Sequence, residues 1–281
     1  MNRVTLGVAL LATLMAAVPT FATTTVFDNC GGSCGWQTGG WVANNNGFPY
    51  WDNPSADGAN RNVGHYISGT GFFSGTPGVP GDDIPWYGQN SGGGAAQDMY
   101  FSTNAPGYTA TLRIEIAGLA SSNIFGWYVR NANGTLGALT PIFAGNASAG
   151  AVSVFTPSAL FGFYITTGDG FTYYTESSRN PNPTCAQQGN YANCVAANQT
   201  QLQHFALFRG NPSATTLWIG AEDRTLSTES ATYSGKVRYG DYNDMIIKMS
   251  ESPIPEPSTY VLFGAGLVGL GLFGHRRRKN S

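Results

Sequence analysis

The chain has 281 residues, with 14 Lys and Arg against 16 Asp and Glu, and its formal net charge is −2. Nine of the cations and all of the acids lie between Thr23 and Ser258, so the charge of that segment is near −7. So few cations argue against nucleic-acid binding, because phosphate contacts need clustered Lys or Arg. The 38 glycines, the 13% of aromatic residues and the low fraction of charged residues favour short strands joined by turns over helices.

The first 22 residues have the pattern of a secretory signal peptide. Met1–Arg3 is a short basic region, Val4–Val18 is apolar, and Thr20 and Ala22 place small side chains at the positions that signal peptidase reads. We therefore expect export by the Sec machinery and cleavage after Ala22. An uncleaved anchor is the alternative, although the apolar stretch is short for a stable membrane span.

The exported segment, residues 23–252, is long enough to bury a hydrophobic core as one domain. Its first part, 23–99, is rich in Gly, Asn, Pro and aromatic residues without a clear period, and we predict it to be irregular. Five aromatic side chains in this part could form a platform for a sugar or could fill the core. They are Trp36, Trp41, Trp51, Trp86 and Tyr87.

Short strands are predicted in the second part of the exported segment, residues 100–250. Thr109–Ile116 alternates polar with apolar residues, which is the period of a half-buried strand. Turn sequences such as Asn133-Gly134 separate several further segments of this kind. The predicted strands are Thr109–Ile116, Phe125–Arg130, Ala151–Phe155, Leu160–Thr166, Phe171–Thr175, Gln203–Arg209, Thr215–Ala221 and Asp244–Met249. Since no helical segment intervenes, we predict an all-β fold, an antiparallel β-sandwich similar to a jelly roll.

The four cysteines form two local pairs, Cys30 with Cys34 and Cys185 with Cys194. In an oxidising compartment such pairs favour disulfides, although the sequence alone allows three connectivities. A metal site built from these cysteines would need Cys-x-x-Cys spacing or a nearby His, and neither is present.

Acidic side chains follow one predicted strand and precede another. Trp218–Asp223 ends in two carboxylates, and Asp241–Asp244 leads into the apolar residues 245–249. Pairing the two strands would bring oxygen donors suited to Ca²⁺ to one end of the sheet, namely Glu222, Asp223, Asp241, Asn243 and Asp244. The alternative is that Asp241 and Asn243 form Asx turns with the backbone. The spacing of an EF-hand is absent.

Four short motifs occur in order between Phe161 and Met249. They are Asn180-Pro181, His204-Phe205, Gly220-Ala221-Glu222-Asp223 and Asp241-Tyr242-Asn243-Asp244. This stretch, about a third of the chain, resembles exported bacterial β-domains of unknown function that carry the same motifs. The pattern of that family often has an Asp two positions before the last motif, where this chain has Tyr239, so one candidate ligand is missing.

The sequence gives little support for catalysis. His-Glu-x-x-His is absent, and outside the tail only His65 and His204 could act as imidazole bases. We expect His204, in a predicted strand, to be a structural residue. The protein is therefore predicted not to be an enzyme.

The tail, residues 253–281, holds three features in order. Pro255-Glu256-Pro257 comes first, the apolar run Ser258–Gly274 follows, and the basic residues 275–279, which include Arg276, Arg277 and Arg278, come last. A run of 17 residues is near the lower limit for a transmembrane helix, and the cations after it favour the cytoplasmic side. A buried core helix is the alternative, but such a helix rarely ends in consecutive cations.

This tail resembles a PEP-CTERM sorting signal. The resemblance implies export, a transient anchor in the inner membrane, and cleavage near Pro255-Glu256-Pro257 by an exosortase that passes the protein toward the cell surface or exopolysaccharide. We therefore expect a surface or extracellular-matrix protein that is structural or associated with exopolysaccharide. The alternative is a carbohydrate-binding module in which Ca²⁺ could take part, and a secreted hydrolase is the third interpretation.

Overall fold

The computed structural model describes residues 23–29, 34–37, 51, 63–68, 85–89, 98–115, 120–180, 203–209, 216–223, 231–233, 236–238, 242–251 and 266. Contacts divide the chain into two compact units, one of Thr23–Ser252 and the other of Met1–Ala22 with Pro253–Ser281. The strands and helices below all belong to the first unit. The predicted signal peptide lies outside the described residues, as does the predicted transmembrane helix apart from Gly266.

Strands dominate the described part of the first unit. They are β1 (Thr24–Asp28), β2 (Cys34–Gln37), β3 (Trp86–Gln89), β4 (Met99–Thr103), β5 (Tyr108–Glu115), β6 (Ile124–Arg130), β7 (Leu136–Phe143), β8 (Val152–Phe155), β9 (Leu160–Thr166), β10 (Thr172–Tyr174), β11 (Phe205–Arg209), β12 (Thr216–Ala221), β13 (Ala231–Tyr233), β14 (Lys236–Arg238) and β15 (Met245–Glu251). The described helical segments are α1 (Val63–Ser68) and the 3-10 turns Ala120–Ser122 and Ser177–Arg179.

Within the described ranges, these strands form a six-stranded sheet, a seven-stranded sheet and a separate pair. The six-stranded sheet has the order β1-β4-β9-β6-β7, with β10 paired to β9, and the pair is β13-β14. The seven-stranded sheet has the order β2-β3-β11-β12-β15-β5-β8. Every described pairing is antiparallel, which confirms the predicted sheet type.

The hydrophobic core lies between the two large sheets. Phe101 and Phe163 of the six-stranded sheet and Leu207, Ile219 and Ile247 of the seven-stranded sheet belong to one buried cluster. The strands that hold these five residues contribute alternate positions to it, because successive side chains of a strand point to opposite faces. The fold is therefore an all-β sandwich, as the sequence predicts.

A second buried cluster covers part of the opposite face of the seven-stranded sheet. Val63 of α1 and Trp51 pack there against Phe208 and Ile246. A Cβ atom at Gly220 would lie 2.5 Å from Val63 Cγ2, so α1 approaches the sheet this closely only where β12 carries a glycine.

Three parts of the fold differ from the strand prediction, and one of them is the pair β13-β14, for which no strand was predicted. Residues 23–99, predicted to be irregular, supply β1, β2, β3, α1 and the start of β4. These strands have only four or five residues, too few to establish a period in the sequence. The unpredicted strand β7 is largely exposed, and Gly137 and Pro141 interrupt its pattern. Long-range pairing determines such strands, and local pattern does not.

Candidate metal centre

Three carboxylates meet at one end of the seven-stranded sheet. One oxygen each of Glu222, Asp223 and Asp244 lie within 4.8 Å of one another. We call these three side chains the acidic cluster. Their residues are 1%, 0% and 7% exposed, so the cluster is buried.

The register of two strands produces the acidic cluster. β12 ends and β15 begins at the paired residues Ala221 and Met245. Glu222 and Asp223 therefore leave the sheet beside Asp244, and the backbone amide of Asp223 donates a hydrogen bond to Asp244 Oδ2 at 2.8 Å. The buried Asn243 precedes Asp244, whereas Asp241 lies outside the described residues.

Tyr242 sets the backbone direction before β15. Its φ is 57°, a left-handed conformation that bulky residues rarely adopt. The ring is fully buried in the second cluster, and its hydroxyl donates to the carbonyl oxygen of Gln203 at 2.8 Å. Its backbone amide donates to Glu222 Oε2 at 3.4 Å. Burial and these bonds stabilise the turn that directs residues 243 and 244 toward Glu222 and Asp223.

A fully buried amide from the other sheet completes the site. Asn123, just before β6, donates from Nδ2 to Asp223 Oδ2 at 2.7 Å. Its carbonyl oxygen Oδ1 is buried and has no hydrogen-bond partner among the described residues. The same holds for the hydroxyl of Tyr173 on β10, whose pKa is raised by burial and by the charges of Asp169, Glu222 and Asp223.

Sequence reasoning missed Asn123 as a member of the site. The residue follows a Ser-Ser pair before a strand and lies 100 positions from Asp223. Nothing in its local sequence distinguishes it from a turn residue.

Burial and negative charge strongly shift titrations around the site. Burial, with the neighbouring charge of Asp223, raises the pKa of Glu115 to about 7. Burial lowers the pKa of His204 to about 3, so the imidazole is neutral. Its Nδ1 donates to the backbone oxygen of Glu222 at 3.0 Å, and its ring stacks on Tyr173. These contacts suit the structural role that the sequence predicts for His204.

The donor set is that of a hard cation. Carboxylate and amide oxygens suit Ca²⁺ or Mg²⁺, whereas zinc sites commonly use thiolate or imidazole. Two oxygens bound to one Ca²⁺ at about 2.4 Å can be at most about 4.8 Å apart, so the acidic cluster has the dimensions of a single calcium site. Glu222, Asp223, Asp244, Asn243 and Asn123 could supply ligands.

The predicted sugar-platform residues are mostly in the interior. Trp51 and Trp86 are 4% and 7% exposed and pack edge to face in the second cluster, and Tyr87 lies in the main core. Trp36 is half-buried against Tyr87, with the Arg209 guanidinium 4.6 Å from its ring. Trp41 lies outside the described residues. Rings buried in this way favour packing over stacking on a sugar.

The remaining predicted residues lie mostly outside the described part of the chain. Cys34 is disulfide-bonded, and the other cysteines, Cys30, Cys185 and Cys194, are not among the described residues. The predicted cleavage and sorting residues are not described either, namely Ala22, Pro255, Glu256, Pro257, Arg276, Arg277 and Arg278. No described helix has the length and apolar character needed to cross a membrane.

Comparison with known proteins places a recognised signal at the carboxyl end. The family model for the PEP-CTERM protein-sorting motif matches residues 253–279. The comparison with curated proteins found no match, and the comparison with solved structures found none.

Proposed function

We propose that this chain is a structural component of the cell surface or extracellular matrix. It is a PEP-CTERM protein, and therefore an exported protein that an exosortase sorts at the membrane. It has no enzymatic activity in this proposal, and its sandwich is stabilised by a bound Ca²⁺ ion. The acidic cluster carries the proposal of calcium.

Burial makes the acidic cluster costly without a cation. Each ionised carboxylate loses several kcal/mol of hydration when it is buried, and carboxylates within 4.8 Å also repel one another. A divalent cation would convert this repulsion into attraction. The free oxygen of the buried Asn123 supports the proposal, because an orphaned acceptor beside carboxylates is what a cation would satisfy.

Calcium fits the site better than magnesium. Mg²⁺ holds its ligands at about 2.1 Å and keeps several waters, whereas Ca²⁺ accepts irregular sets of about six to eight protein oxygens. A buried site with several carboxylate and amide oxygens leaves little room for retained water. The ion would join the end of β12 to the start of β15 and to the residue that precedes β6.

Calorimetric titration of CaCl₂ into the exported protein, after treatment with EDTA, tests the metal. We expect one binding event per chain, weaker heat with MgCl₂, and a melting temperature that falls when EDTA is added. Glu222→Gln should abolish the calcium response. Asp98→Asn, which removes the same charge at the isolated bridge between Asp98 and Glu176, should leave it unchanged. No heat and no effect of EDTA would exclude the calcium site.

The surface location is tested separately. Fractionation of producing cells should find the processed protein on the surface or in the matrix, and washing with a chelator should reveal whether the retained protein depends on calcium. Processed protein found only as a free monomer in the medium would argue against a structural role.

A further inference from the structure

Among the described residues, α1 and Trp51 cover only part of the outward face of the seven-stranded sheet. Beyond the second buried cluster, two rows of paired residues cross the strands β12, β15, β5 and β8. The first row is Trp218, Lys248, Thr111 and Val152, and the second is Thr216, Ser250, Thr109 and Val154. We call these eight residues, with the exposed Arg113 beside them, the open face.

Part of the open face is accessible to solvent. Val152 and Val154 are 63% and 72% exposed, and Trp218 and the hydroxyl residues are half-buried. Three inter-strand spacings of about 4.8 Å give each row a length of about 14 Å. Among the described residues, none of the four hydroxyl side chains makes an internal hydrogen bond, so they remain able to bind a ligand.

Two cations lie near the indole on this face, both from strands on the same side of β12. Lys248 Nζ lies 5.6 Å from the centroid of the Trp218 ring, and Arg113 Cζ lies 5.9 Å from it. Neither cation has a carboxylate partner within the described ranges, where both ion pairs involve Glu176. The exported segment is moderately acidic overall, so a patch that carries two cations and none of the described acids is a local reversal of charge.

We propose that the open face binds an anionic polysaccharide whose sugars carry carboxylates. The indole offers an apolar surface for a sugar ring, Arg113 and Lys248 pair with the carboxylates, and the Thr and Ser hydroxyls bond to sugar hydroxyls. A chain lying along the two rows would use all three features together. Two cations are too few for a nucleic acid, which needs many phosphate contacts.

This inference goes beyond the proposed structural role and does not depend on the calcium site. None of the open-face residues belongs to the acidic cluster. Failure of calcium binding would therefore leave the polysaccharide proposal intact, and the reverse also holds.

Affinity electrophoresis of the exported protein tests the proposal. Native gels without added calcium would contain hyaluronan or polygalacturonate as uronate polymers, or dextran as a neutral polymer. We expect retardation by the uronate polymers, none by dextran, and loss of retardation at about 0.5 M NaCl because salt screens exposed charges. Equal retardation by dextran, no retardation by either uronate polymer, or retardation that survives salt would overturn the proposal.

Substitutions locate the site. Trp218→Ala and the double change Arg113→Gln with Lys248→Gln should each weaken binding about tenfold. The control Lys236→Gln with Arg238→Gln removes the same charges from the separate β13-β14 pair and should bind as the parent does. If the control weakens binding equally, the effect is one of net charge and the open face is not the site.

A further arm distinguishes a polymer from a membrane. Vesicles of anionic phospholipid, tested by co-sedimentation, should not retain the protein, because the open face lacks the large apolar surface that insertion requires. Binding to vesicles without binding to the uronate polymers would contradict the proposal. Circular dichroism confirms folding of each variant, and the salt dependence of the parent protein gives an answer even if a variant does not fold.

Discussion

The side-chain amide of Asn123 donates a 2.7 Å hydrogen bond to the carboxylate of Asp223, across the two sheets of the sandwich. Asn123 precedes β6 of the six-stranded sheet, and Asp223 follows β12 of the seven-stranded sheet. A cation bound beside this pair would tie the two layers together. The bond therefore relates the candidate metal centre to the stability of the whole sandwich.

Asn123→Ala is expected to weaken calcium binding by about tenfold or more, the usual effect of removing a group that supports a metal ligand. It should also lower the free energy of unfolding by about 1 to 3 kcal/mol, because Asp223 loses a buried hydrogen bond. Calorimetry and urea unfolding measure the two effects.

Asn123→Asp is the matched variant. It keeps an oxygen at the site but adds a negative charge. The variant should therefore be less stable than the parent in EDTA, and it should regain stability when CaCl₂ is added, because the cation offsets the added charge. If both variants bind calcium as tightly as the parent, Asn123 has no part in the site.

Gly220→Ala should destabilise the fold by about 2 kcal/mol or more, because overpacking a closely packed position strains its neighbours. The new Cβ would lie 2.5 Å from Val63 Cγ2 and 2.5 Å from the carbonyl oxygen of Tyr242. Because Tyr242 precedes Asn243 and Asp244, calcium affinity should fall as well.

Gly35→Ala is the control for Gly220→Ala. A Cβ at Gly35, in β2 of the same sheet, would have no atom within 4 Å. Thermal unfolding of both variants compares them, and equal melting temperatures would mean that α1 does not pack closely on Gly220.

Protonation of the Glu176 carboxylate should lower the free energy of unfolding in acid. Burial would raise the pKa of this carboxyl, but hydrogen bonds from Arg179, Tyr128 and Arg130 outweigh burial and hold the pKa below its usual value. These hydrogen bonds therefore contribute fully to stability above pH 4.5, the ordinary pKa of a glutamate. The contribution is lost as the pH falls through the lower pKa that Glu176 has in the folded state. Urea unfolding at several pH values measures this loss.

Glu176→Gln isolates that effect. The change removes the carboxylate that pairs with two arginines. Its Oε1 lies 3.0 Å from Arg130 Nε, and its Oε2 lies 2.6 Å from Arg179 Nε. We expect a loss of about 2 to 3 kcal/mol at neutral pH, less than for a fully buried pair because both arginines are partly exposed. The variant should also lose less stability than the parent on acidification, and an unchanged acid slope would contradict the assignment.

Replacement of Pro255-Glu256-Pro257 by alanines should trap the unprocessed protein in the inner membrane, because the exosortase would lack its site. Deletion of residues 276–279 should disturb topology, since cations that follow an apolar segment favour the cytoplasmic side. Immunoblots of membrane and medium fractions measure both, with Ser281→Ala as a control. Release of both variants at the normal rate and size would contradict the sorting assignment.

Local patterns predicted the second half of the sandwich well. Leu160–Thr166 was predicted with the observed bounds, and β6 and β12 differ from the prediction by one residue at one end. The two acidic motifs were also recognisable, because their residues are close together in the sequence. The strands between Thr24 and Gln89 were not predicted, since each is short and gains its stability from a partner strand far along the chain.

By itself the sequence determined the sorting motif and the alternation of the longer strands, because chain order, apolar length and side-chain period are local properties. It also supplied the oxygen donors of the acidic cluster. Only the tertiary structure decided that Asn123 joins those donors, that Trp51 and Trp86 are covered, and that Trp218 lies at the edge of an open face. These outcomes depend on strand register and on the packing of one sheet against the other, which arise from contacts between residues far apart in the chain.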